Sequence, residues 1–536
     1  MSVVKNANLG WGQRYMWLRY HDLPPHARHN THIILKLQIP VGLTIQNCRA
    51  ILNQTARRHE TLRTTYHFDL DGDPYRVVRP PGPCPLVVVS TEEDGTPMPA
   101  EVMERLGGAE FDIAVDWPIR TSVITTEGVP QQLVLVLNHL AVDMWTVTEL
   151  QRELQLNCTA VLARRLAAIE PVRHRPSDLI RYETTLDPGP ALAYWEKEIE
   201  SIPPDAFGDR RRHGVPPETR RATLVSPALL AASRRIAARQ KVWPSQVHLA
   251  AYTALMAAYT GGPSFDHLTF TGNRENGPYA TVLTCMFSPL LLRVDVSDDP
   301  TFTELLARVG DRFEQAREHA YVPYDEVAEL LARKGARLAS EFNFIKQVTL
   351  ESRARRSRIT WQTPPEDHGA DTYVRVDEWK DAVVIALSAA SSVMDADSIE
   401  RFLRAWETTI LSYDATPDAL RTSDIAALAG FAPAPPPSRR TESRNIPDKA
   451  AEEVLAAVVG QANGLAEVDP AQSYTGTGGR VLRIPRVLAL LRSHGWEGVT
   501  VHQLTGAAPL SALACLLAPA ASVTPSPEPL QPGVRP

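Results

Sequence analysis

Nowhere do these 536 residues run apolar for the length a bilayer demands, and the opening MSVVKNANLGWGQRYMW lacks the apolar core of a secretory leader. The most apolar late stretch, GAAPLSALACLLAPAASV, is short and broken by proline. Cysteine is scarce and scattered. Cys48, Cys84, Cys158, Cys285 and Cys515 form no CxxC pair, which argues against a zinc ribbon or disulfide framework and fits reduced thiols. Positive charge is in no surplus: a formal net charge of −6 and a pI near 6.2 argue against the basic face of a nucleic-acid binder. A cytoplasmic protein without membrane or nucleic-acid partners is expected.

What is present is length enough for two or three cores. Strand-like runs, HIILKLQI, QLVLVL and HLTFTG, alternate with helical patterns such as SQVHLAAYTALMAAYT and TFTELLARVGDRFEQAREHA, which predicts layered α/β structure. Turn residues in PVRHRPSDLI and TLDPGPA predict a join between two lobes. Periodic patterning stops at FAPAPPPSRRTESRNIP, a linker in composition. A small segment follows it, and then a Pro-rich tail expected to be disordered.

The stretch VLVLNHLAVDMWTVTEL, residues 134–150, holds the first candidate chemistry. Leu133 to Leu137 alternate leucine and valine, as in a strand buried on both faces. Past Asp143, the residues Val147, Leu150, Leu154 and Val161 fall near helical spacing. His139 and Asp143 are therefore placed on a strand-to-helix loop, a common seat of function. A histidine there can act as general base because its neutral form is well populated near neutrality. An aspartate four positions on can fix the loop, pair with an arginine or orient the ring.

NHLAVDM resembles the HHxxxDG signature of the condensation domains of nonribosomal peptide synthetases. Other segments resemble that family in the same order: LGWGQRYMWL, RRHETLRTTY, AYWEKEI, DHLTFTGNREN with CMFSPLLLRVDV, HAYVPYDEV and EFNFIKQ. The resemblance spans about residues 9 to 430. It implies an α/β fold of two chloramphenicol acetyltransferase-like lobes set in a V around a central tunnel, with lobes at 1–175 and 176–431 and a linker at 432–447. It further implies that two substrates enter on the phosphopantetheine arms of carrier proteins or synthetase modules, and that an amine attacks the donor thioester. In that scheme His139 is the base and Asp143 the structural aspartate, whose partner is Arg274. No metal or directly bound cofactor is implied.

The departures from the family pattern are specific. Asn138 replaces the first histidine of the signature and can keep a hydrogen bond. Met144 replaces its glycine, exchanging backbone freedom for bulk beside the tunnel. Tyr15 stands for the arginine of the first motif, and Ser288 for a usual asparagine.

Residues 448–517 resemble a peptidyl carrier domain, with the tail at 518–536. A working carrier has a GGxS loop whose serine takes the phosphopantetheine arm; here GGRVL puts Val481 in its place, and valine has no hydroxyl. Ser473 and Ser493 lie too far along the chain to substitute, and Pro485 is expected to interrupt the following helix. This reads as a degenerate carrier.

Other signals read as structural. TGTGG follows no buried strand and lacks the lysine of a phosphate loop. His21, His26, His29 and His32 are expected to be solvated loop residues rather than zinc ligands, Arg57, Arg58, His59 and Arg63 to pair with carboxylates, and Trp17, Trp195 and Phe287 to be core.

Two functions stay open. One is an acyltransferase that forms an amide or ester between a carrier-bound thioester and an acceptor amine or hydroxyl, the acceptor arriving on a carrier or as a free small molecule. The sequence shows neither an adenylation segment nor a competent carrier, so donors are expected to come on separate proteins. The other is a catalytically silent scaffold that recruits a carrier or tailoring enzyme. Epimerisation of a carrier-bound residue is a third, weaker reading.

Overall fold

A computed structural model of the chain describes residues 4–6, 8–68, 72–91, 107–212, 215, 218–274, 277–347, 350–364, 370–417, 419–433 and 449–520. The linker expected at 432–447 and the tail fall almost wholly outside the described residues.

The first lobe is built on a four-stranded sheet in the order Ile33–Gln38, Val129–Leu137, Ile119–Thr126, Leu86–Thr91. Its central strand carries the leucine-valine run, and Leu133 through Leu137 are all buried because helices cover one face and the sheet's other face is closed as well. Helices Ile45–Arg58 and Met144–Leu162 supply Cys48, Ile51, Leu52, Val147, Leu150 and Leu154 to this core. A small antiparallel sheet joins Val4–Asn6, Pro74–Val78 and Thr64–Phe68.

The second lobe has a seven-stranded mixed sheet in the order Ser288–Asp295, Ser264–Thr271, Ser340–Gln347, Thr372–Trp379, Val383–Ala390, Thr219–Ser226, Arg358–Gln362. Helices Pro227–Gln240, Pro244–Thr260, Phe302–Glu318 and Ala396–Ala415 pack on it around Tyr252, Phe402 and Trp406. The start of Phe302–Glu318 is fixed by a capping box in which Thr301 and Glu304 exchange hydrogen bonds.

The lobes meet along helix Trp11–Asp22. Gly12 lies so close to the segment after Ser264–Thr271 that a Cβ there would stand 2.6 Å from the Met286 Cα, a contact only glycine permits.

Residues 449–520 form a small helical unit with helices Lys449–Asn463, Ile484–Ser493, Val501–Leu504 and Leu510–Ala514. Two expectations are corrected here. Pro485 does not interrupt a helix; it sits in the first turn of Ile484–Ser493, where its missing N–H has no partner to lose. The tail begins later than expected, since Ala518–Pro519 pairs antiparallel with Trp496–Glu497. The unit is not free-standing: Leu455, Val459 and Leu488 share one apolar cluster with Trp17, Leu18 and Tyr20. Among the described residues no helix is long and apolar enough to cross a membrane.

Candidate active site

Strand Val129–Leu137 ends one residue before Asn138, and the chain turns through a loop into helix Met144–Leu162. Asn138 makes that turn. Its N–H donates to the Pro118 carbonyl at 3.0 Å, its side-chain oxygen accepts from Leu140 N–H at 2.9 Å, and its carbonyl accepts from Ala141 N–H at 3.0 Å. The Leu140 carbonyl is held in turn by the Gln13 amide and the Tyr66 hydroxyl, both at 3.1 Å. The residue on either side of His139 is thus pinned to the scaffold.

Asp143 is the N-cap of the helix and is spent on structure. One carboxylate oxygen accepts from Thr146 N–H at 2.8 Å; the other accepts from Met286 N–H at 3.0 Å and from the Arg274 guanidinium at 2.7 Å. Arg274 is stacked over Trp145, 4.3 Å from its ring centre, and donates also to the carbonyls of Thr284, at 2.7 Å, and Val282. The Thr146 hydroxyl bridges to the Thr284 carbonyl at 2.8 Å. Together these contacts tie the loop of the first lobe to Arg274, Thr284 and Met286 of the second.

His139 is half-buried between the lobes. Its ring lies 5.2 Å from Phe287, centre to centre, and its Nδ1 has no hydrogen-bond partner within the chain. Burial lowers its pKa below the ordinary histidine value; interaction with the backbone of His139 and Val142 and the Asp143 charge oppose the shift, and Arg375 of the facing sheet adds to it. A neutral imidazole on a half-buried loop between two lobes is chemically able to accept a proton.

Met144, expected to strain or crowd the site, is the first residue of the helix and is not among the described residues with left-handed φ. Its backbone therefore needs no glycine. Ser288 accepts from the Asn273 amide at 2.7 Å, and Asn273, at φ 52°, turns the chain just before Arg274. Tyr15 packs edge-on against Phe287 at 5.5 Å and Tyr324 at 4.9 Å, so its ring is joined to that of His139 through Phe287. Val481 sits in a short turn and is fully buried, with its N–H directed to Glu329 at 3.4 Å.

Sequence reasoning missed Gln13, Tyr66, Thr146, Asn273 and the backbone N–H of Met286. Only Thr146 carried a signal, three residues after a helix-capping aspartate. The structural assignments fared unevenly. Trp17 and Trp195 are core, and Phe287 is partly buried beside His139. Arg58 and His59 both pair with Glu153, at 3.1 and 2.9 Å, whereas Arg57 is exposed and Arg63 donates to the Arg79 carbonyl instead of a carboxylate. His21 is not solvated: it closes helix Trp11–Asp22, buried against Trp17 at 4.4 Å between ring centres. His32 is half-buried, and its Nδ1–H donates to the Gly107 carbonyl at 2.9 Å. No group of metal-ligating side chains occurs among the described residues. The glycines of TGTGG are structural: Gly478 takes a left-handed φ of 94°, and Gly479 lies against the Tyr474 ring where a Cβ would stand at 2.6 Å.

The condensation domain model matches residues 12–425. The chain belongs to the condensation domain family. Its similar proteins include the probable non-canonical nonribosomal peptide synthetase CymA of Salinispora arenicola, 26% identical over 74% of this chain and 5% of that protein. The isonitrile lipopeptide synthase of Mycobacterium tuberculosis is 26% identical over 79% of this chain and 18% of its own length. The chain therefore spans a small fraction of the length of these relatives. Among solved structures, the condensation domain of the monacolin K polyketide synthase MokA is 18% identical, covering 79% of this chain and all of its own at a TM-score of 0.62. The X-domain from teicoplanin biosynthesis is 19% identical, covering 79% of this chain and 98% of its own at 0.60. The fold is thus the two-lobed, chloramphenicol acetyltransferase-like α/β fold of condensation domains.

Proposed function

We propose that the chain is a condensation-type acyltransferase, joining a carrier-bound acyl or aminoacyl thioester to the amine or hydroxyl of an acceptor. The observation that carries the reading is His139: a half-buried imidazole between the lobes, its pKa lowered by burial, with the residues on both sides pinned. A thioester is already activated, so catalysis needs chiefly two reactants held together and one proton acceptor. The acceptor nitrogen or oxygen attacks the thioester carbonyl, the C–S bond breaks, and the proton lost by the nucleophile passes through His139 to the departing thiolate. Asp143 and Arg274 position the loop, Asn138 makes its turn, and Ser288 holds Asn273 beside Arg274.

The scheme calls for no metal and no resident cofactor; the donor comes on the phosphopantetheine arm of a separate carrier protein or synthetase module in the cytoplasm. The C-terminal unit is read as a degenerate carrier, because Val481 offers no hydroxyl and is buried.

A silent scaffold is the second reading. It draws on Met144 in the signature, on Val481 in place of a carrier serine, and on the likeness to the teicoplanin X-domain, which has been solved in complex with OxyB. The test is intact-protein mass spectrometry of loaded donor carriers mixed with acceptor and either wild type or His139→Ala. Product from wild type alone is the expected result. Carriers left loaded by both proteins, with tight binding of a carrier or tailoring enzyme, would make the chain a scaffold.

A further inference from the structure

The seven-stranded sheet of the second lobe has two unlike faces. Leu224, Val376 and Leu387 turn toward the helices and join the core around Trp406. The two-residue period of a strand sends their alternates to the opposite face, which carries Glu341, Tyr373, Arg375, Asp377, Ser388 and Arg221. This polar face looks into the seam between the lobes: Arg19 of helix Trp11–Asp22 reaches Glu341 at 3.4 Å, and the charge of Arg375 acts on His139.

Its charges do not balance. Glu341 is matched by Arg19, and Asp377 accepts from Arg375 Nε at 3.0 Å and from the Gln347 amide at 2.9 Å. Arg221 is left over. It is half-buried, its Nε is shut off from solvent, and it forms no hydrogen bond or ion pair among the described residues. Burial lowers its pKa, with Tyr373 and Asp377 opposing the shift and Arg375 adding to it, so the second guanidinium is a near neighbour rather than a remedy. A charge withdrawn from water without a partner is costly, and a bound anion would remove that cost.

The register shows where such an anion fits. Arg221 lies directly opposite Ser388 and Ser388 opposite Tyr373, while Ala386, the preceding residue on this face, lies opposite Arg375. The two arginines thus flank one intervening strand, their own strands about 10 Å apart, and the side chains between them are small. The Ser388 hydroxyl on this floor has no hydrogen-bond partner, although the residue is only 3% exposed. Both bonds from Arg375 to Asp377 leave from Nε, and 36% of its side chain stays exposed, so its terminal nitrogens face the gap.

We infer that this face is a subsite for a carboxylate borne by one of the substrates, held between Arg221 and Arg375 over Ser388. A guanidinium presents paired N–H donors that match a planar carboxylate. The inference rests on the acyltransferase reading and narrows its substrate class: one reactant carries an acid group remote from the carbonyl that is attacked.

The test uses the full chain with 4-phenylbutyrate as probe and 4-phenylbutanamide and 4-phenylbutylamine as neutral and cationic controls, read by saturation-transfer NMR titration. Wild type is expected to prefer the carboxylate to the amide about tenfold. Arg221→Gln should abolish that preference and Arg221→Glu should invert it toward the amine, with melting used to confirm that both variants fold. Saturating carboxylate should also raise the titration midpoint of His139, identified by its loss in His139→Ala, because an anion beside Arg375 offsets the charge that lowers it. Equal binding of carboxylate and amide, an unchanged preference in folded Arg221→Gln, or an unmoved His139 midpoint would overturn the assignment. Binding and chemistry separate cleanly. A carboxylate bound by a protein that never unloads a donor counts against the acyltransferase, not the subsite; transfer by a protein that shows no preference for the carboxylate counts against the subsite alone.

Discussion

Asp143 and Arg274 meet at 2.7 Å across the junction of the lobes, with side chains only 5% and 8% exposed. The carboxylate is turned to the arginine, to the Met286 N–H and to its own helix, and none of these bonds goes to the imidazole four residues earlier. Asp143 thus holds the loop that carries His139, and its charge opposes the burial shift on the imidazole.

Breaking this pair from one side leaves a buried charge without its partner, which typically costs about 3–5 kcal/mol. Asp143→Ala and Arg274→Ala should each lower stability on that scale in urea unfolding. The double variant should cost clearly less than the sum, since it strands neither charge. Additive losses would mean that the two side chains do not act as a pair.

His139→Ala removes a side chain with no hydrogen bond at Nδ1 and should leave the unfolding midpoint nearly unchanged. Transfer should fall by about 10²–10⁴-fold, the usual contribution of a positioned base. Burial holds the imidazole below the ordinary histidine pKa, so the active neutral form persists as pH falls through that value. The acid limb of kcat/KM is accordingly expected below the range of a free histidine; a limb at or above it would assign the base elsewhere.

Gly12→Ala tests the seam between the lobes. The added Cβ would meet backbone atoms of Cys285 and Met286 at 2.6–2.7 Å, and backbone cannot swing away as a flexible side chain can. Overpacking of this kind costs about 1–3 kcal/mol. Because Met286 N–H bonds Asp143, transfer should drop as well. A variant with wild-type melting and activity would show that the seam yields freely.

Local order was legible where neighbours in sequence decide it. The leucine-valine strand, the loop and the helix after Asp143 follow from spacing alone, because the strand is covered and the aspartate caps the helix it precedes. The bracing was not legible. Thr284 and Met286 meet the loop from 138 and 143 residues away, and one of the two groups is a backbone N–H that no side chain advertises. His21 misled for a related reason: its chemistry is that of a surface residue, and only the Trp17 and Phe68 rings packed around it make it core. Proline at 485 was read as a breaker because its position in the helix, not its identity, decides whether an N–H is lost.

Each histidine whose pKa burial lowers makes the fold less stable in acid. Burial pushes His248 down to about 3 and His267 and His32 down to about 4, and lowers His21 as well. In the unfolded chain these groups titrate near 6.5. Below that pH the unfolded state binds more protons than the folded one, so stability is full above about 6.5 and is lost as pH falls toward about 4. Glu183 works the other way. Burial lifts its carboxyl to about 7 although Tyr321 and the Trp11 N–H bond it, so the folded state gains from its protonation as pH drops below neutrality. Burial raises Asp266, Glu326, Glu329, Glu341 and Asp377 in the same direction as Glu183 and lowers His67 and His139 with the other histidines, so the sign is read residue by residue. His267→Leu, neutral at every pH, should flatten the fall of the urea midpoint across this interval, whereas Glu183→Gln should steepen it. A His267→Leu slope equal to wild type would show that His267 does not remain uncharged in the folded protein.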